Sequence, residues 1–339
     1  LVFTYVIFIF PFEILASWFG YSGSLIEPII STFIIYFICL YYFRSKSSNK
    51  IIKFLVYEGV GIGSVSLFVI IPILFFDFFI NLSDQLKLNI FFLFQIPLLL
   101  YGFWNARRLS IKNLKFEHEL LKEELLFVFI SDVHIGSNHP NTLKKIVSNI
   151  NEIKPNFLLI GGDLYDSSDF QINDLSYLKD VKCPTYLVTG NHEYYLKNYQ
   201  SHLDKLNKIG VSLIENKSII VKGINLIGIN DNLSIIEKKN FFYQLYKKEY
   251  FNLLAVHQPS LWKHIKSDVN LMMSGHTHNG QIFPFNFLVK LKFPEIYGLY
   301  SKNTNRLYVS SGAATWGPKI RIGSKNELIK VHLVKTNNS

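Results

Sequence analysis

The sequence predicts an α/β sandwich of two sheets with flanking helices, preceded by a helical transmembrane region. The first observation is charge. Up to Trp104 the chain carries five basic and five acidic residues, and the remainder holds the other 30 basic and 20 acidic residues of the 339. Second, short apolar runs after residue 125 alternate with helical patterns, which is typical of βαβ units. Third, Asp, Asn and His residues follow several of these runs, where ligand sites of open α/β folds gather.

The first third of the chain, residues 1–106, predicts about four transmembrane helices. A span needs about 20 mostly apolar residues, and the candidate runs cover residues 1–19, 28–43, 59–76 and 88–106. The first run is the weakest candidate, because Pro11 and Glu13 interrupt it; the alternatives are a kinked span or the remnant of a signal segment. Buried helices of a soluble core would carry charged faces, and none of these runs shows one. The hydropathy therefore favours membrane insertion.

Lys and Arg in the short loops predict the orientation of these spans. Basic residues cluster between spans two and three and again directly after span four. They are Arg44, Lys46, Lys50 and Lys53, then Arg107, Arg108, Lys112 and Lys115. Four spans with both termini inside satisfy the positive-inside rule, so we expect the domain that follows to face the cytoplasm.

The net charge and the cysteines add two weaker constraints. The formal charge of +10 lies wholly in the C-terminal two-thirds. A basic balance suits anionic partners, namely lipid head groups, phosphate substrates or nucleic acid, and does not choose among them. The two cysteines, Cys39 and Cys183, imply no disulfide framework and are compatible with a reducing compartment.

The remainder of the chain predicts a linker over residues 107–124 and one α/β domain over residues 125–339. The first half of this domain alternates between the two element types. Strands are expected at 125–130, 156–160 and 185–188, and helices at 142–150 and 196–209. The second half is richer in strand, with runs at 218–229, 253–257, 271–274, 306–310 and 328–334.

Polar side chains that suit a metal site follow five of the predicted strands. They are Asp132, His134, Asp163, Asn191, His192, His257, His276 and His278. Imidazole suits first-row transition metals, and carboxylate and amide oxygens complete such a shell. In an extended segment, Asp132 and His134 would point to the same side because side chains alternate, and so would His276 and His278. Taken singly, each pattern is common; together they predict one convergent two-metal site in which a carboxylate such as Asp163 bridges.

Five sequence blocks resemble those of the calcineurin-like metallophosphoesterases. They are Asp132-Val133-His134, Gly162-Asp163-Leu164-Tyr165-Asp166, Gly190-Asn191-His192-Glu193, His257 and Gly275-His276-Thr277-His278. A further likeness points to the bacterial membrane-associated YkuE-like subgroup. It rests on Gln281, Ser310-Ser311-Gly312 and Trp316-Gly317-Pro318-Lys319-Ile320-Arg321. That subgroup more often has Gly at the position of Asn279, and Asn tolerates the left-handed backbone geometry that Gly allows.

The resemblance implies a four-layer αββα sandwich with a dinuclear centre of Mn, Fe, Zn or similar divalent ions. One metal would be held by Asp132, His134, Asp163 and His278. The other would be held by Asp163, Asn191, His257 and His276. His192 would contact the phosphate and protonate the leaving oxygen, and Asp166 would orient a ligand imidazole. The implied reaction is hydrolysis of a phosphate ester or pyrophosphate bond by metal-activated hydroxide, in a multi-pass protein of the bacterial inner membrane.

The substrate is the least determined part of the prediction. The segment from Ile282 to Tyr300 is rich in Phe, Leu and Tyr and contains Lys290 and Lys292. Two alternatives are open, first that it is core or an ordinary hydrophobic loop, and second that it is a lipid-docking surface at the mouth of the site. The second alternative suits an amphiphilic phosphate ester of the inner leaflet, with membrane lipid as partner. Some relatives of the subgroup act on UDP-diacylglucosamine, a lipid with a pyrophosphate bond.

Three rival functions remain open. A nuclease-type phosphodiesterase would use the same metal blocks, although a membrane anchor and an apolar site mouth argue against nucleic acid. A catalytically silent binding module would keep the fold, yet every ligand position is filled here. A transporter or sensor would need polar groups within the spans, and only Glu13 and Glu58 lie near their ends.

Overall fold

The computed structural model describes residues 1–45, 49–166, 170–266 and 268–336. Lys46, one of the basic loop residues used to predict orientation, therefore lies outside the described residues. The chain divides into two compact units. One comprises Leu1–Arg107 with Gly317–Gly323, and the other comprises Arg108–Trp316 with Ser324–Ser339.

The first unit is helical. Its helices are α1 (Val2–Trp18), α2 (Ile26–Ser45), α3 (Lys50–Ile80) and α4 (Asp84–Asn105). Among the described residues, α2, α3 and α4 are long and apolar enough to cross a membrane, whereas α1 is shorter. Pro11 lies within this shorter helix, as expected of the weakest of the four predicted spans. Three apolar helices indicate that the chain associates with a membrane.

Residues 317–323 pack with these helices although they lie more than 200 positions downstream. The Arg321 N–H donates to the Gly102 carbonyl at 3.0 Å, and the Asn105 side chain donates to the Arg321 carbonyl at 3.0 Å. The domain predicted over residues 125–339 is thus interrupted by a short segment that belongs to the helical unit.

The second unit contains two six-stranded sheets. The strands are β1 (Leu109–His118), β2 (Leu125–Ile130), β3 (Phe157–Gly161), β4 (Thr185–Val188), β5 (Val211–Leu213), β6 (Lys217–Val221), β7 (Ile224–Ile229), β8 (Phe251–Val256), β9 (Leu271–Ser274), β10 (Gly298–Lys302), β11 (Asn305–Val309) and β12 (Asn326–Lys335). In the first sheet the strand order is β1-β12-β2-β3-β4-β5, and in the second it is β10-β11-β9-β8-β7-β6. Strands β2 to β5 are mutually parallel, as are β7, β8, β9 and β11. The carboxyl ends of each parallel set therefore lie along one edge of its sheet.

The described helices of this unit are α5 (Pro140–Ile153), α6 (Asn191–Tyr195), α7 (Tyr199–Lys208), α8 (Ile235–Leu245), α9 (Trp262–Ile265) and α10 (Phe285–Lys292), with 3₁₀ turns at Ile172–Asp180, Pro259–Leu261 and His278–Gly280. Side chains of α5 and α7 pack on the outer face of the first sheet, and side chains of α8 and α9 pack on the outer face of the second. Alternate residues of β2 face opposite layers: Phe127 and Phe129 pack between the sheets, while Val128 and Ile130 pack against α5. A third core lies between the second sheet and α8 and includes Phe242. The predicted four-layer αββα sandwich is confirmed.

Two stretches differ from the predicted elements. Residues 107–124, predicted to be a linker, contain β1, which pairs in parallel with β12. This edge strand carries exposed Lys112, Lys115 and Glu117, and such charges hide a strand from a search for apolar runs. The single strand predicted over 218–229 is the β6–β7 hairpin, which turns at Lys222 and Gly223, both with positive φ.

Candidate metal centre

The predicted ligands lie in tight turns just after the strands rather than in extended segments. Asp132, His134 and Asp163 have φ values of 54°, 49° and 51°, and His276 and His278 have 74° and 49°. The expectation that Asp132 and His134, or His276 and His278, share a side because an extended chain alternates is therefore wrong. Left-handed backbone costs of order 1 kcal/mol or more for a non-Gly residue, and it persists where the surroundings fix it.

Hydrogen bonds between the loops hold these turns. The Asp132 N–H donates to the Gly162 carbonyl and the His134 N–H to the Asp163 carbonyl, each at 3.0 Å. Gly162 has a φ of 92°, and a Cβ there would lie 2.6 Å from the Gly190 nitrogen. A Cβ on Gly190 would collide with the Asp163 carboxylate. The loops after β2, β3 and β4 thus approach one another as closely as backbone allows.

Glu193 holds the Asp163 loop, a role that was not predicted from the sequence. It is fully buried. Its carboxylate accepts the N–H groups of Gly190 at 2.7 Å, Asp163 at 3.0 Å, Leu164 at 2.8 Å and Tyr165 at 3.3 Å. Burial, with repulsion from Asp163, raises the pKa of Glu193 to about 7. In the sequence, this role is indicated by the position of Glu193 three residues after Gly190, because an acidic residue at N3 commonly caps the start of a helix.

Asp132, His134 and His278 form a first group of possible ligands, with ligand atoms all within 4.8 Å of one another. The two Nε2 atoms of His134 and His278 lie 3.2 Å apart. His278 Nε2 is 3.5 Å from Asp132 Oδ1, and His134 Nε2 is 3.8 Å from Asp163 Oδ2. The structure therefore brings together the four residues that the resemblance assigned to one metal.

Asp163, His257 and His276 form a second group within the same 4.8 Å limit. His257 Nε2 is 3.0 Å from Asp163 Oδ2 and 3.3 Å from His276 Nδ1. Asn191 precedes His192, whose N–H donates to Asp163 Oδ1 at 2.9 Å. Within the parts of the chain that the structure describes, the buried Asn191 Oδ1 has no hydrogen-bond partner. An amide oxygen left in this state suits a metal ligand.

Two imidazoles of the cluster are oriented through their other ring nitrogens. His134 Nδ1 lies 3.0 Å from Asp166 Oδ2, and Asp166 also accepts the Ser137 N–H and hydroxyl at 2.8 Å each. His257 Nδ1 lies 2.8 Å from the Gly161 carbonyl. Each contact turns Nε2 toward Asp163, which is how ligand imidazoles are commonly held. The role expected for Asp166 agrees with this contact.

The charges of the cluster fit divalent cations. Asp132 and Asp163 are 0% and 2% exposed. Burial raises the pKa of Asp132, and the neighbouring Asp163 adds to this effect. Burial also acts to raise the pKa of Asp163, but His257 outweighs it and the net pKa is lowered. Buried carboxylates are stable only beside positive charge, and the N and O donors present suit first-row metals.

His192 lies at the open side of this cluster. Its Nε2 is 4.0 Å from Asp163 Oδ2, and its side chain is 15% exposed, against 1% for His134. Burial lowers the pKa of His192 to about 4. The neutral imidazole retains one N–H to donate. Its ligand atoms also group with those of His134 and Asp163, so His192 is positioned to contact a molecule that reaches the site.

Comparison with known proteins agrees with this geometry. The family model for calcineurin-like phosphoesterases matches residues 125–280. A metallophosphoesterase of Helicobacter pylori is 34% identical over 273 residues, which cover 76% of this chain and 72% of that protein. One from Campylobacter jejuni is also 34% identical, over 66% of this chain and 63% of that protein. A Bos taurus protein named as a transmembrane protein with metallophosphoesterase domain is 31% identical, over 62% of this chain and 53% of that protein.

The chain thus spans less than two thirds of the length of the Campylobacter and Bos taurus relatives. None of these names distinguishes the YkuE-like subgroup, so membership of it stays a prediction. The matched region contains the strands and turns that carry the eight predicted site residues. With two buried Asp-His groups meeting at Asp163, the chain belongs to the calcineurin-like metallophosphoesterases, a family of hydrolases.

Proposed function

We propose that this chain hydrolyses a phosphate ester or pyrophosphate bond with a pair of divalent ions such as Mn, Fe or Zn. One ion would be held by Asp132, His134, Asp163 and His278, and the other by Asp163, Asn191, His257 and His276. The observation that carries the proposal is the position of Asp163, whose Oδ2 lies 3.0 Å from His257 Nε2 and 3.8 Å from His134 Nε2. A carboxylate between two histidine groups is suited to bridge two metals.

Each residue of the site would have its own role in the reaction. When bound, the metal ions would activate a water molecule and offset charge on the phosphoryl group. His192 would donate its N–H to a phosphoryl oxygen or to the oxygen of the leaving group. Asp166 and Glu193 would keep His134 and the Asp163 loop in place while the charge changes. No covalent bond between substrate and protein is needed.

An amphiphilic substrate is supported by the side chains around α10. Phe283, Phe287, Leu288 and Leu291 are 52%, 61%, 61% and 83% exposed, which argues against the core alternative for these four. The same segment reaches the site, because the Phe293 ring centroid lies 5.0 Å from that of His276. An apolar patch beside a metal cluster favours a ligand that has an apolar part.

We further propose that this patch docks on the lipid surface of the membrane. Lys290 and Lys292 lie on the same helix and would attract anionic head groups. A helix that combines exposed apolar residues with Lys is typical of interfacial binding. Together with the three apolar helices and the basic loops, this supports a multi-pass protein of the bacterial inner membrane with a cytoplasmic catalytic domain, acting on a lipid-linked phosphate.

The test is turnover by the full chain in vesicles that contain anionic lipid. Leu291→Glu should lower kcat/KM for a lipid phosphate in the vesicle about tenfold, because it places charge on the docking face. It should leave hydrolysis of a soluble phosphomonoester unchanged. The matched control is Ile236→Glu, since Ile236 is 69% exposed on a different helix, α8.

Two results would contradict this proposal. Equal losses on the vesicle substrate in the Leu291→Glu and Ile236→Glu proteins would remove the docking role of α10. Hydrolysis of oligonucleotides without hydrolysis of lipid phosphates would favour the nuclease alternative instead.

A further inference from the structure

Two aromatic side chains beside His192 have no role in the function proposed above. The ring of Trp316 lies 5.6 Å from the His192 ring, with an interplanar angle of 69°. The ring of Tyr195 lies 5.0 Å from the His192 ring, at 62°. Trp316 is 44% exposed and Tyr195 is 61% exposed. Both rings therefore offer open faces at the side of the cluster where His192 would meet the leaving group.

The backbone of Trp316 is fixed by residues from the metal-ligand loops. Its N–H donates to Gln281 Oε1 at 2.9 Å, and the Gln281 side-chain amide donates to the Trp316 carbonyl at 3.0 Å. Gln281 is buried and has a φ of 54°, an unfavourable region for a residue of this kind. Asn138 holds the preceding carbonyl, that of Thr315, at 2.6 Å. Two buried side chains therefore hold the backbone from which the Trp316 ring projects.

Tyr195 is fixed to the metal site in a different way. It lies three residues after His192 on α6, so both side chains project from the same face of that short helix. Its hydroxyl accepts a hydrogen bond from the Asn191 side-chain amide at 3.0 Å. That contact directs the amide nitrogen of Asn191 toward Tyr195, which leaves Oδ1 to face elsewhere. Tyr195 and Trp316 are thus both positioned relative to predicted metal ligands.

We propose that Trp316 and Tyr195 form a subsite for a ring in the leaving group of the substrate. The ring would stack on these aromatic faces while His192 contacts the oxygen that leaves, which selects phosphates of ring-bearing alcohols over linear ones. Aromatic side chains stack on nucleobases and other planar rings without requiring one particular hydrogen-bond pattern. The inference rests on the proposed function, because it uses the role given there to His192.

The experiment measures binding, so it does not depend on turnover. Calorimetry on the metal-loaded full chain in detergent would give the dissociation constants of 2-phenylethyl phosphonate and n-hexyl phosphonate, which cannot be hydrolysed as esters. We expect the wild-type protein to bind the phenylethyl compound about tenfold more tightly. Trp316→Ala should abolish this preference, and Trp316→Phe should keep most of it.

Two further variants separate a subsite from a general structural effect. Gln281→Ala should lose the same preference as Trp316→Ala without loss of metal, because it frees the Trp316 backbone. The control is Tyr243→Ala, whose side chain is 45% exposed on a different helix, α8. It should keep the preference.

The results of these experiments distinguish failure of the subsite from failure of the proposed function. An unchanged preference in the Trp316→Ala protein, or equal affinities of the wild-type protein for both phosphonates, would overturn the subsite. Loss of vesicle binding with an unchanged preference would make Trp316 a membrane contact and would overturn it as well. A phosphonate preference that depends on Trp316, in a metal-loaded protein that hydrolyses no ester, would refute the proposed function and leave the subsite standing.

Discussion

The metal-ligand loops and the mouth of the site are built in opposite ways. In the loops, Asp132 and Asp163 are almost fully buried and have left-handed backbone. At the mouth, Leu291 and Trp316 are 83% and 44% exposed. The loops are held by hydrogen bonds between backbones and to Glu193, whereas the exposed mouth side chains have much of their surface in solvent. In the function proposed here, the constrained loops would hold the metal ions and the exposed side chains would contact the substrate.

This contrast has an energetic reason. A buried carboxylate without a partner costs several kcal/mol, so each member of the loop cluster constrains the others. An exposed apolar side chain costs little and can be replaced without unfolding the domain. Substitutions in the loops should therefore abolish activity on every substrate, and those at the mouth should change which substrates are used.

The largest effect is expected for Asp163→Asn. The amide cannot bridge two cations as a carboxylate does, so metal content should fall and kcat/KM should drop by roughly 10³-fold on all substrates. Metal analysis and steady-state kinetics on one preparation measure both. Asp204→Asn, on the exposed face of α7, is the control and should change neither. Unchanged metal stoichiometry in the Asp163→Asn protein would contradict the assignment.

The next effect is expected for His192→Ala. His192 is more exposed than His134, His257 and His278, so this variant should keep its metal while kcat falls by about 10²-fold, as for loss of a proton donor. The same two measurements apply, with His264→Ala on α9 as the control, since His264 is exposed. Full activity without His192 would remove the role proposed for it.

Glu193→Gln should act on stability as well as on the metals. The variant leaves several buried N–H groups with a poorer acceptor, which costs about 2 kcal/mol in free energy of unfolding. Metal affinity should fall about tenfold or more, because the Asp163 loop loses its support. Denaturant unfolding and metal titration measure the two effects. Glu152→Gln at the exposed end of α5 is the control, and equal behaviour of both variants would show that Glu193 does not hold the loop.

The smallest effect is expected for Tyr195→Phe. Tyr195 lies between the metal-ligand loops and the mouth of the site, because it contacts both Asn191 and His192. Removing the hydroxyl deletes the acceptor of the hydrogen bond from the half-buried Asn191 side-chain amide. The metal concentration needed for half-maximal rate should rise roughly threefold, the usual scale of one neutral hydrogen bond. The aromatic face is unchanged, so the preference for ring-bearing phosphonates should persist. A loss of that preference would show that the Tyr195 hydroxyl, rather than the ring, selects the substrate.

The sequence predicts the structure well where a motif directly follows an apolar strand. The strands β2, β4 and β9 begin and end where their apolar runs predict, and all eight candidate site residues lie around one cluster or directly beside it. The resemblance to the family also implied the four layers. These features follow from buried apolar runs and from residue types with few alternative uses.

The remainder could not be read from local pattern. The left-handed turns at Asp132 and His134 depend on backbone contacts with the loop after β3, which is distant in sequence. The charges of the edge strand β1 hide it from a search for apolar runs. Gln281 donates a hydrogen bond to the backbone of Trp316, which is 35 positions away. The exposed face of α10 has the composition of a core segment. Only the tertiary arrangement distinguishes a buried Phe from an exposed one.

In the proposed site, two cations bind on either side of Asp163. Crystals of the chain grown with Mn²⁺ should show two anomalous peaks, one beside His134 and His278 and the other beside His257 and His276. Each should lie within coordination distance of the Asp163 carboxylate. A single peak, or none in a protein whose solution metal content was confirmed before crystallisation, would contradict the dinuclear site.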